Sequence, residues 1–258
     1  MQKNTFNGIL YGAAGSLWWG TLGVLYFKSA SFSGPIELVI HRTIWTAFTL
    51  AVTTSLLSKW YIFFSLLKKK RELFYLLITG VLIFCNWATW IYAVTTNKLI
   101  DASFGYFIMP ILSVFLGILF LNESYNKQKI TSVLLVVISV TYLLINFASV
   151  PWTGLIVAIT WSTYSLLRKK ISVESDIGLL IESMFITPFA LIIFYIITID
   201  GNNYFSFYDP KIAFWLFLAG PMTVIPLFLF LKGIDQAGLG TSGMIFFITP
   251  TCQFLLGF

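Results

Sequence analysis

Residues 101–123, DASFGYFIMPILSVFLGILFLNE, constrain the fold of this chain more than any other stretch. Between the carboxylates at its two ends the stretch contains no charged residue, and about twenty such residues let a helix cross a bilayer. Pro110 lies near its middle. A proline break in a membrane helix frees backbone carbonyls, which are tolerated only where protein or a water-filled cavity satisfies them. The stretch therefore predicts a broken membrane span beside such a cavity.

The composition of the whole chain is that of an integral membrane protein. Hydrophobic residues make up 58% of the sequence and charged residues 10%, with a mean hydropathy of +0.89, whereas a soluble domain is about a quarter charged. We therefore predict an all-α integral membrane protein with no room for a soluble catalytic domain. Nine spans are predicted, at about 9–27, 36–57, 73–94, 101–121, 129–147, 152–168, 177–198, 211–231 and 239–258.

The Lys and Arg residues lie mostly between the apolar runs, where they act as topology signals. The net charge of +6 therefore does not indicate nucleic-acid binding. With the N-terminus inside, twelve basic residues fall in inner segments and three in outer segments. This bias predicts a multi-pass protein of the cell membrane with a cytoplasmic N-terminus. The inner residues are Lys3, Lys59, Lys68, Lys69, Lys70, Arg71, Lys127, Lys129, Arg168, Lys169, Lys170 and Lys232, and the outer ones are Lys28, Lys98 and Lys211.

Similar segments at a nearly constant spacing predict an internal repeat. YFIMP at 106–110 returns as FFITP at 246–250, a shift of 140 residues, and a shift of 142 carries Trp19 onto Trp161. A complete copy would hold five spans, an odd number, so the second copy enters the membrane in the opposite direction. Inverted repeats of this kind are typical of transporters whose substrate site lies near the membrane midplane, where the copies meet.

The repeat predicts how the chain is divided. Residues 1–149 would form the first inverted repeat with five helices, and residues 150–258 the second with four. The predicted architecture is thus a ten-helix fold of which nine helices are present in this chain. The fifth span would have its partner near 269–287, beyond the last residue of the sequence. We expect either a fragment or a natural truncation.

Several motifs resemble the RarD-type permeases of the EamA branch of the drug/metabolite transporter superfamily. They are HRTIW at 41–45, NW at 86–87, DASFGYFIMP at 101–110, LLRKK at 166–170, LLIES at 179–183 and PT at 250–251. The resemblance covers essentially the whole chain. It implies two inverted five-helix halves, cytoplasmic termini, a central substrate cavity and a loose link to chloramphenicol sensitivity. The sequence departs from the family at Phe246 or Phe247, where the ninth-helix motif usually has a tyrosine, so a hydroxyl is absent there.

Three ionisable residues inside predicted spans are candidates for function. Arg42 and His41 lie about 10 Å from the outer edge of the second span, and a charge at that depth needs a partner or a wet cavity. Alternatively, Arg42 extends its head to the interface and His41 bonds a neighbouring backbone carbonyl. Glu182 lies about as deep from the inner edge of the seventh span, and it is the candidate for proton coupling. By depth, we expect no direct bridge between Arg42 and Glu182.

Aromatic and polar residues inside the spans complete the predicted substrate site. The aromatic side chains supply contact area for a flat or amphipathic substrate, although plain packing is the alternative for each of them. Asn86 hydrogen-bonds either substrate or a neighbouring helix, and the paired prolines expose carbonyls on the floor of the site. The predicted substrate-binding residues are Trp18, Trp19, His41, Arg42, Asn86, Trp90, Tyr106, Pro110, Phe246 and Pro250.

These features together predict a secondary active transporter that moves a small organic metabolite or amphipathic drug by alternating access. An intramembrane enzyme acting on a lipid-like substrate is the alternative, but it would need clustered carboxylates, His pairs or a Ser/Lys nucleophile; an inactive truncated remnant is another. We expect no enzyme activity and no cofactor or metal, since the chain has one His and its cysteines, Cys85 and Cys252, lie in apolar segments. No G-x-x-x-x-G-K-[ST] loop is present to bind ATP. The expected partners are substrate and the lipid bilayer, with proton coupling left open.

Overall fold

The computed structural model describes residues 3–96, 98–122, 127–146, 151–171, 173–206 and 208–257. Over these residues the chain is helical with short connections and contains no strand, so the all-α prediction is confirmed. A π-helical turn, Trp19–Gly23, joins the first two helices, and a 3₁₀ turn, Ser31–Ser33, precedes the third. The helices are α1 (Lys3–Trp18), α2 (Val24–Ser29), α3 (Gly34–Leu56), α4 (Trp60–Leu67), α5 (Lys70–Thr95), α6 (Leu99–Leu121), α7 (Lys127–Asn146), α8 (Trp152–Lys170), α9 (Ser175–Ile199), α10 (Pro210–Phe217), α11 (Ala219–Ala237), α12 (Leu239–Ile245) and α13 (Ile248–Gly257).

Four described segments are long and apolar enough to cross a membrane: Lys70–Thr95, Asp101–Leu121, Ser175–Ile199 and Pro210–Ala237. A fifth would be counted if α3 with its preceding turn and α4, which are bent 117° apart, formed one span. These segments correspond to the third, fourth, seventh, eighth and second predicted spans. The other four predicted spans coincide with helices, and that these helices cross the membrane remains a prediction. The chain is therefore a multi-pass membrane protein.

Pro110 and Pro250 do not interrupt the backbone in the way that the sequence predicts. Helix α6 runs through Pro110 without interruption, so the expected break in the fourth span is wrong. The ninth span is divided, but between α12 and α13, upstream of Pro250. Pro250 is the third residue of α13, where its missing N–H has no intrahelical acceptor to lose. The carbonyl of Phe246, which the proline was expected to free, accepts a hydrogen bond of 2.9 Å from the backbone N–H of Thr249.

Helices of one predicted copy pack against helices of the other, and corresponding helices make corresponding contacts. Helix α1 packs against α11 and, correspondingly, α8 packs against α5, while α3 packs against α9 and α6 against α12. The predicted boundary at residues 149 and 150 lies outside the described residues. Small residues allow the closest of these approaches. A Cβ atom at Gly80 of α5 would lie 3.2 Å from the carbonyl oxygen of Glu182, and one at Gly220 of α11 would overlap the carbonyl of Trp45.

Candidate functional site

A small cavity lies where seven parts of the fold meet: the π-helical turn, α2, α3, α5, α6, α8 and the α12–α13 segment. Its volume is about 20 Å³, which is room for about one water molecule. The structure is therefore closed around a space much smaller than an organic substrate. We call this space the central cavity. It is lined by Trp19, Phe27, Arg42, Asn86, Trp87, Trp90, Tyr106, Trp161, Phe246 and Gln253.

The π-helical turn brings Trp19 to the cavity and packs closely against α13. A Cβ atom at Gly20 would lie 2.7 Å from the Cβ of Cys252 and 2.9 Å from the carbonyl oxygen of Thr249. The hydroxyl of Thr249 donates a 2.9 Å hydrogen bond to the carbonyl of Ser16, one turn earlier. Because only glycine allows this approach, the turn and α13 place Trp19 and Gln253 on the same cavity. Widened π turns of this kind occur frequently at functional sites.

Arg42 is a buried cation surrounded mainly by aromatic rings. Its side chain is 4% exposed, and its guanidinium carbon lies 4.7 Å from the ring centre of Phe27, 4.6 Å from that of Trp87 and 5.9 Å from that of Trp90. Its Nε donates a 2.9 Å hydrogen bond to the hydroxyl of Thr223. Among the residues that the structure describes, no carboxylate oxygen lies within 4.0 Å of this guanidinium. The head does not extend to the protein surface, unlike that of a snorkelling arginine.

The other cavity residues form an aromatic box with unused hydrogen-bond donors. Trp19 meets Trp161 edge-on at 5.0 Å between ring centres, and Phe246 lies 5.7 Å from Tyr106. Asn86 donates hydrogen bonds to the carbonyl of Val157 and the hydroxyl of Thr160, so its amide joins α5 to α8. Four buried polar atoms of the lining have no hydrogen-bond partner within the described chain: the indole nitrogens of Trp87, Trp90 and Trp161, and the side-chain oxygen of Gln253.

The structure brings six of the ten predicted substrate-binding residues to the central cavity: Trp19, Arg42, Asn86, Trp90, Tyr106 and Phe246. Trp18, His41, Pro110 and Pro250 are not part of its lining. Four lining residues were not among the predicted ones: Phe27, Trp87, Trp161 and Gln253. The repeat gave a signal for Trp161, which is the counterpart of Trp19. No comparable signal marked Phe27 or Gln253.

His41 lies in a separate buried contact at the start of α3. Its Nδ1 accepts a 3.1 Å hydrogen bond from the indole N–H of Trp45, and its Nε2 lies 3.5 Å from a carboxylate oxygen of Glu37. Glu37 also accepts hydrogen bonds from the backbone N–H groups of Tyr204 and Phe205, in the loop between α9 and α10. Glu37 was not among the ionisable candidates predicted from the sequence, although its side chain is buried as that of Glu182 is.

Glu182 is enclosed on α9, with 1% of its surface exposed. It accepts hydrogen bonds from the hydroxyls of Thr79 (2.6 Å) and Tyr164 (3.2 Å), and it lies 3.6 Å from the Nε of Arg168. Arg168, which was counted among the basic residues of the inner segments, has its side chain buried against Glu182. As expected from their depths, Arg42 and Glu182 form no ion pair. We call Glu182 and these three partners the Glu182 cluster.

A second cavity of about 10 Å³ lies beside the Glu182 cluster. Glu182 and Trp87 are both part of its lining, and Trp87 also lines the central cavity. The Trp87 ring is also one of those beneath the Arg42 guanidinium. Two of the three ionisable candidates, Arg42 and Glu182, therefore border neighbouring cavities that share this one indole side chain.

Comparison with known proteins gives consistent matches. Residues 6–145 match the EamA-like transporter family. Protein RarD of Escherichia coli (strain K12) is 33% identical over 254 residues, covering 98% of this chain and 86% of that protein. An uncharacterized transporter of Vibrio cholerae is 32% identical over 255 residues, covering 99% and 84% respectively. Uncharacterized transporter YojE of Bacillus subtilis (strain 168) is 33% identical over 266 residues, covering 99% and 86%.

Proposed function

The chain belongs to the EamA-like transporter family, and we propose that it is a secondary active permease for a small organic metabolite or amphipathic drug. The family and the apolar helices make it a multi-pass membrane transporter of the drug/metabolite type. The observation that carries the finer proposal is the closed central cavity. Because the cavity has room for about one water, an organic substrate can enter or leave only if the surrounding helices move. Such movement is what alternating access requires.

The arrangement of the cavity supports two inverted halves as the moving parts. Residues 1–149 contribute seven of its lining residues and residues 150–258 contribute three, so the cavity lies between the two proposed repeats. The exchange-symmetric helix pairing supports the same division. Transporters of this architecture bind substrate where the repeats meet and rock one repeat against the other.

Two polar contacts between the proposed halves lie at opposite ends of α3. At its start, Glu37 accepts hydrogen bonds from the α9–α10 loop. Just past its end, the ammonium of Lys59 lies 2.7 Å from carboxylate oxygens of both Glu174 and Asp176, before and at the start of α9. At about 1.5 Å per residue the two contacts are about 30 Å apart along the helix, which is the thickness of a bilayer core. We propose that they close the cavity toward opposite faces, Lys59 on the cytoplasmic side.

The experiment that tests alternating access locks one of these contacts. In a background with Cys85→Ser and Cys252→Ser, the pair Lys59→Cys and Glu174→Cys is joined by a reducible bifunctional methanethiosulfonate. Both native side chains are partly exposed, so the reagent has access. Uptake by proteoliposomes, without nucleotide, is measured for radiolabelled chloramphenicol, phenyllactate, phenylalanine and phenethylamine.

We expect protein-dependent uptake of at least one probe, its loss on cross-linking and its recovery on reduction. The single variant Lys59→Cys, treated with the same reagent, is the control and should keep its uptake. Uptake that continues in the cross-linked protein would contradict alternating access through this side. If none of the probes enters in a protein-dependent way, transport of this class of molecule is refuted.

A further inference from the structure

We infer that the central cavity binds the carboxylate of an organic monoanion, with Arg42 as the counter-charge and the aromatic box around the rest of the molecule. This inference rests on the proposed transport function and names the substrate class of the same site. It follows from three features of the cavity: an uncompensated cation, an excess of hydrogen-bond donors and apolar walls.

Arg42 differs from the other buried charged side chains of the described chain. Glu182 and Arg168 compensate each other, and Glu37 is held by two backbone N–H groups and His41. Arg42 has one hydroxyl, that of Thr223, and three ring faces. The Thr223 hydroxyl donates its own proton to the carbonyl of Ala219, so it is fixed as an acceptor for Arg42. A buried charge without a partner marks a position where a ligand of opposite charge gains most.

The fully buried polar atoms of the lining that have no partner in the described residues are mostly donors. An indole nitrogen can only donate, and three tryptophans of the lining, Trp87, Trp90 and Trp161, have this donor unused within the described residues. Of the four fully buried lining atoms without a partner in the described residues, the side-chain oxygen of Gln253 is the acceptor. A guanidinium with nearby N–H donors matches a group that carries negative charge on several acceptor oxygens. Carboxylate, sulfonate and phosphate share this chemistry.

The absence of acidic residues from the lining narrows the class of ligand further. None of the ten lining residues is acidic, so a substrate ammonium would meet Arg42 without a carboxylate to pair with it. Aromatic boxes often hold cations, but here the guanidinium already occupies the faces of Phe27 and Trp87. A dianion would leave its second charge against apolar walls, which is costly. A monocarboxylate with an aromatic or aliphatic body is the ligand that this charge balance favours.

The test compares molecules of similar shape and different charge on purified protein. Thermal unfolding is followed with phenylacetate, phenyllactate, phenylacetamide, phenylalanine, phenethylamine and phenyl phosphate, because a ligand that binds only the folded state raises the melting temperature. We expect phenylacetate or phenyllactate to stabilise the protein, and the neutral amide to have at least tenfold weaker apparent affinity. Stronger stabilisation by phenylalanine, phenethylamine or phenyl phosphate than by both acids overturns the monocarboxylate assignment. No stabilisation by either acid overturns it as well.

Arg42→Gln tests whether the guanidinium is responsible. We expect it to weaken acid binding at least tenfold and to change amide binding much less, so that the preference between acid and amide is lost. Arg42→Lys, which keeps the charge, should retain part of the preference and covers the case in which the glutamine variant fails to fold. Lys28→Gln removes an exposed positive charge at the end of α2 and is the matched control, expected to bind acids normally. An acid preference that survives Arg42→Gln refutes the role of Arg42.

Failure of this inference is distinguishable from failure of the transport proposal. If proteoliposomes take up chloramphenicol or phenethylamine but neither acid binds, the protein is a transporter and the substrate class is wrong. If no probe is taken up, the transport proposal itself fails.

Discussion

The Glu182 cluster provides the sharpest prediction, because its two charges are buried together. Replacing Arg168 by Met removes the cation that lies 3.6 Å from the Glu182 carboxylate. Two hydroxyl donors, Thr79 and Tyr164, would remain. Glu182 is 1% exposed, so water cannot replace the lost partner without local opening. The variant therefore leaves a buried carboxylate with hydrogen bonds but no counter-charge.

The expected cost follows from the asymmetry of buried ion pairs. Removing one partner of such a pair costs about 3–5 kcal/mol, whereas replacing both by uncharged groups of similar size is often close to neutral. Arg168→Met should therefore lower the melting temperature by on the order of 10 °C. The double variant Arg168→Met/Glu182→Gln should recover most of this loss, because glutamine keeps an acceptor for Thr79 and the Tyr164 hydroxyl can rotate to accept from the new amide.

The assay is thermal unfolding in one detergent, followed by tryptophan fluorescence, for the wild type, both single variants and the double variant. Completing the cycle isolates the interaction between the two residues. A destabilisation of the double variant as large as that of Arg168→Met would show that Arg168 contributes through packing. If Arg168→Met has no effect, Glu182 carries no charge in the folded protein and the ion-pair reasoning is refuted.

Three further predictions concern other parts of the structure. If Glu182 couples protons to transport, Glu182→Gln should keep substrate binding and lose accumulation driven by a pH gradient; unchanged accumulation by well-folded protein would exclude it. The Lys59 ammonium donates hydrogen bonds to the carboxylates of Asp176 and Glu174, and these raise the pKa of Lys59. The stabilisation that this contact gives the folded protein should be complete below about pH 10 and disappear as pH rises through the raised pKa. The melting temperature of wild type should therefore exceed that of Lys59→Met below about pH 10, and this difference should disappear as pH rises further. It should correspond to less than about 1 kcal/mol in the free energy of unfolding, because the pair is partly exposed. Gly220→Ala should destabilise more than Gly80→Ala, because a Cβ at Gly220 overlaps the Trp45 carbonyl while the Gly80 position leaves 3.2 Å; the reverse order in thermal unfolding would contradict this packing.

The sequence predicts the helical class and the positions of the long helices well, because long apolar runs leave few alternatives in a bilayer. It does not predict α4, Trp60–Leu67, which lies between two predicted spans. It predicts the effect of the prolines less well. A proline ring clashes with the carbonyl four residues earlier, which for Pro250 is Phe246, and α12 ends just before that residue. For Pro110 the same position is Tyr106, yet α6 continues through it. YFIMP and FFITP both end in proline with an aromatic residue four positions earlier, so the proline alone does not decide whether the helix is interrupted.

For the candidate site, the sequence predicts how deep a residue lies in a span better than it predicts which residues its side chain contacts. Arg42 and Glu182 were placed inside predicted spans because the depth of a residue along a span follows from its number at 1.5 Å per residue, and both side chains are buried in the structure. Which residues face them depends on the rotation of the helix and on its neighbours. His41, adjacent to Arg42, therefore points to Glu37 and Trp45, away from the central cavity. Adjacent residues of an α-helix lie about 100° apart around its axis.

The contrast between the two buried charges also bears on which of them carries function. A charge whose partners are all supplied by the protein, as for Glu182 with Arg168, Thr79 and Tyr164, can be explained by folding alone. Arg42 cannot be explained in that way, because rings and one hydroxyl are weak compensation for a charge removed from water. The protein bears that cost in its closed state, and a substrate anion would offset it. Arg42 is therefore the stronger candidate for a binding residue, while a role for Glu182 requires that its ion pair open during transport.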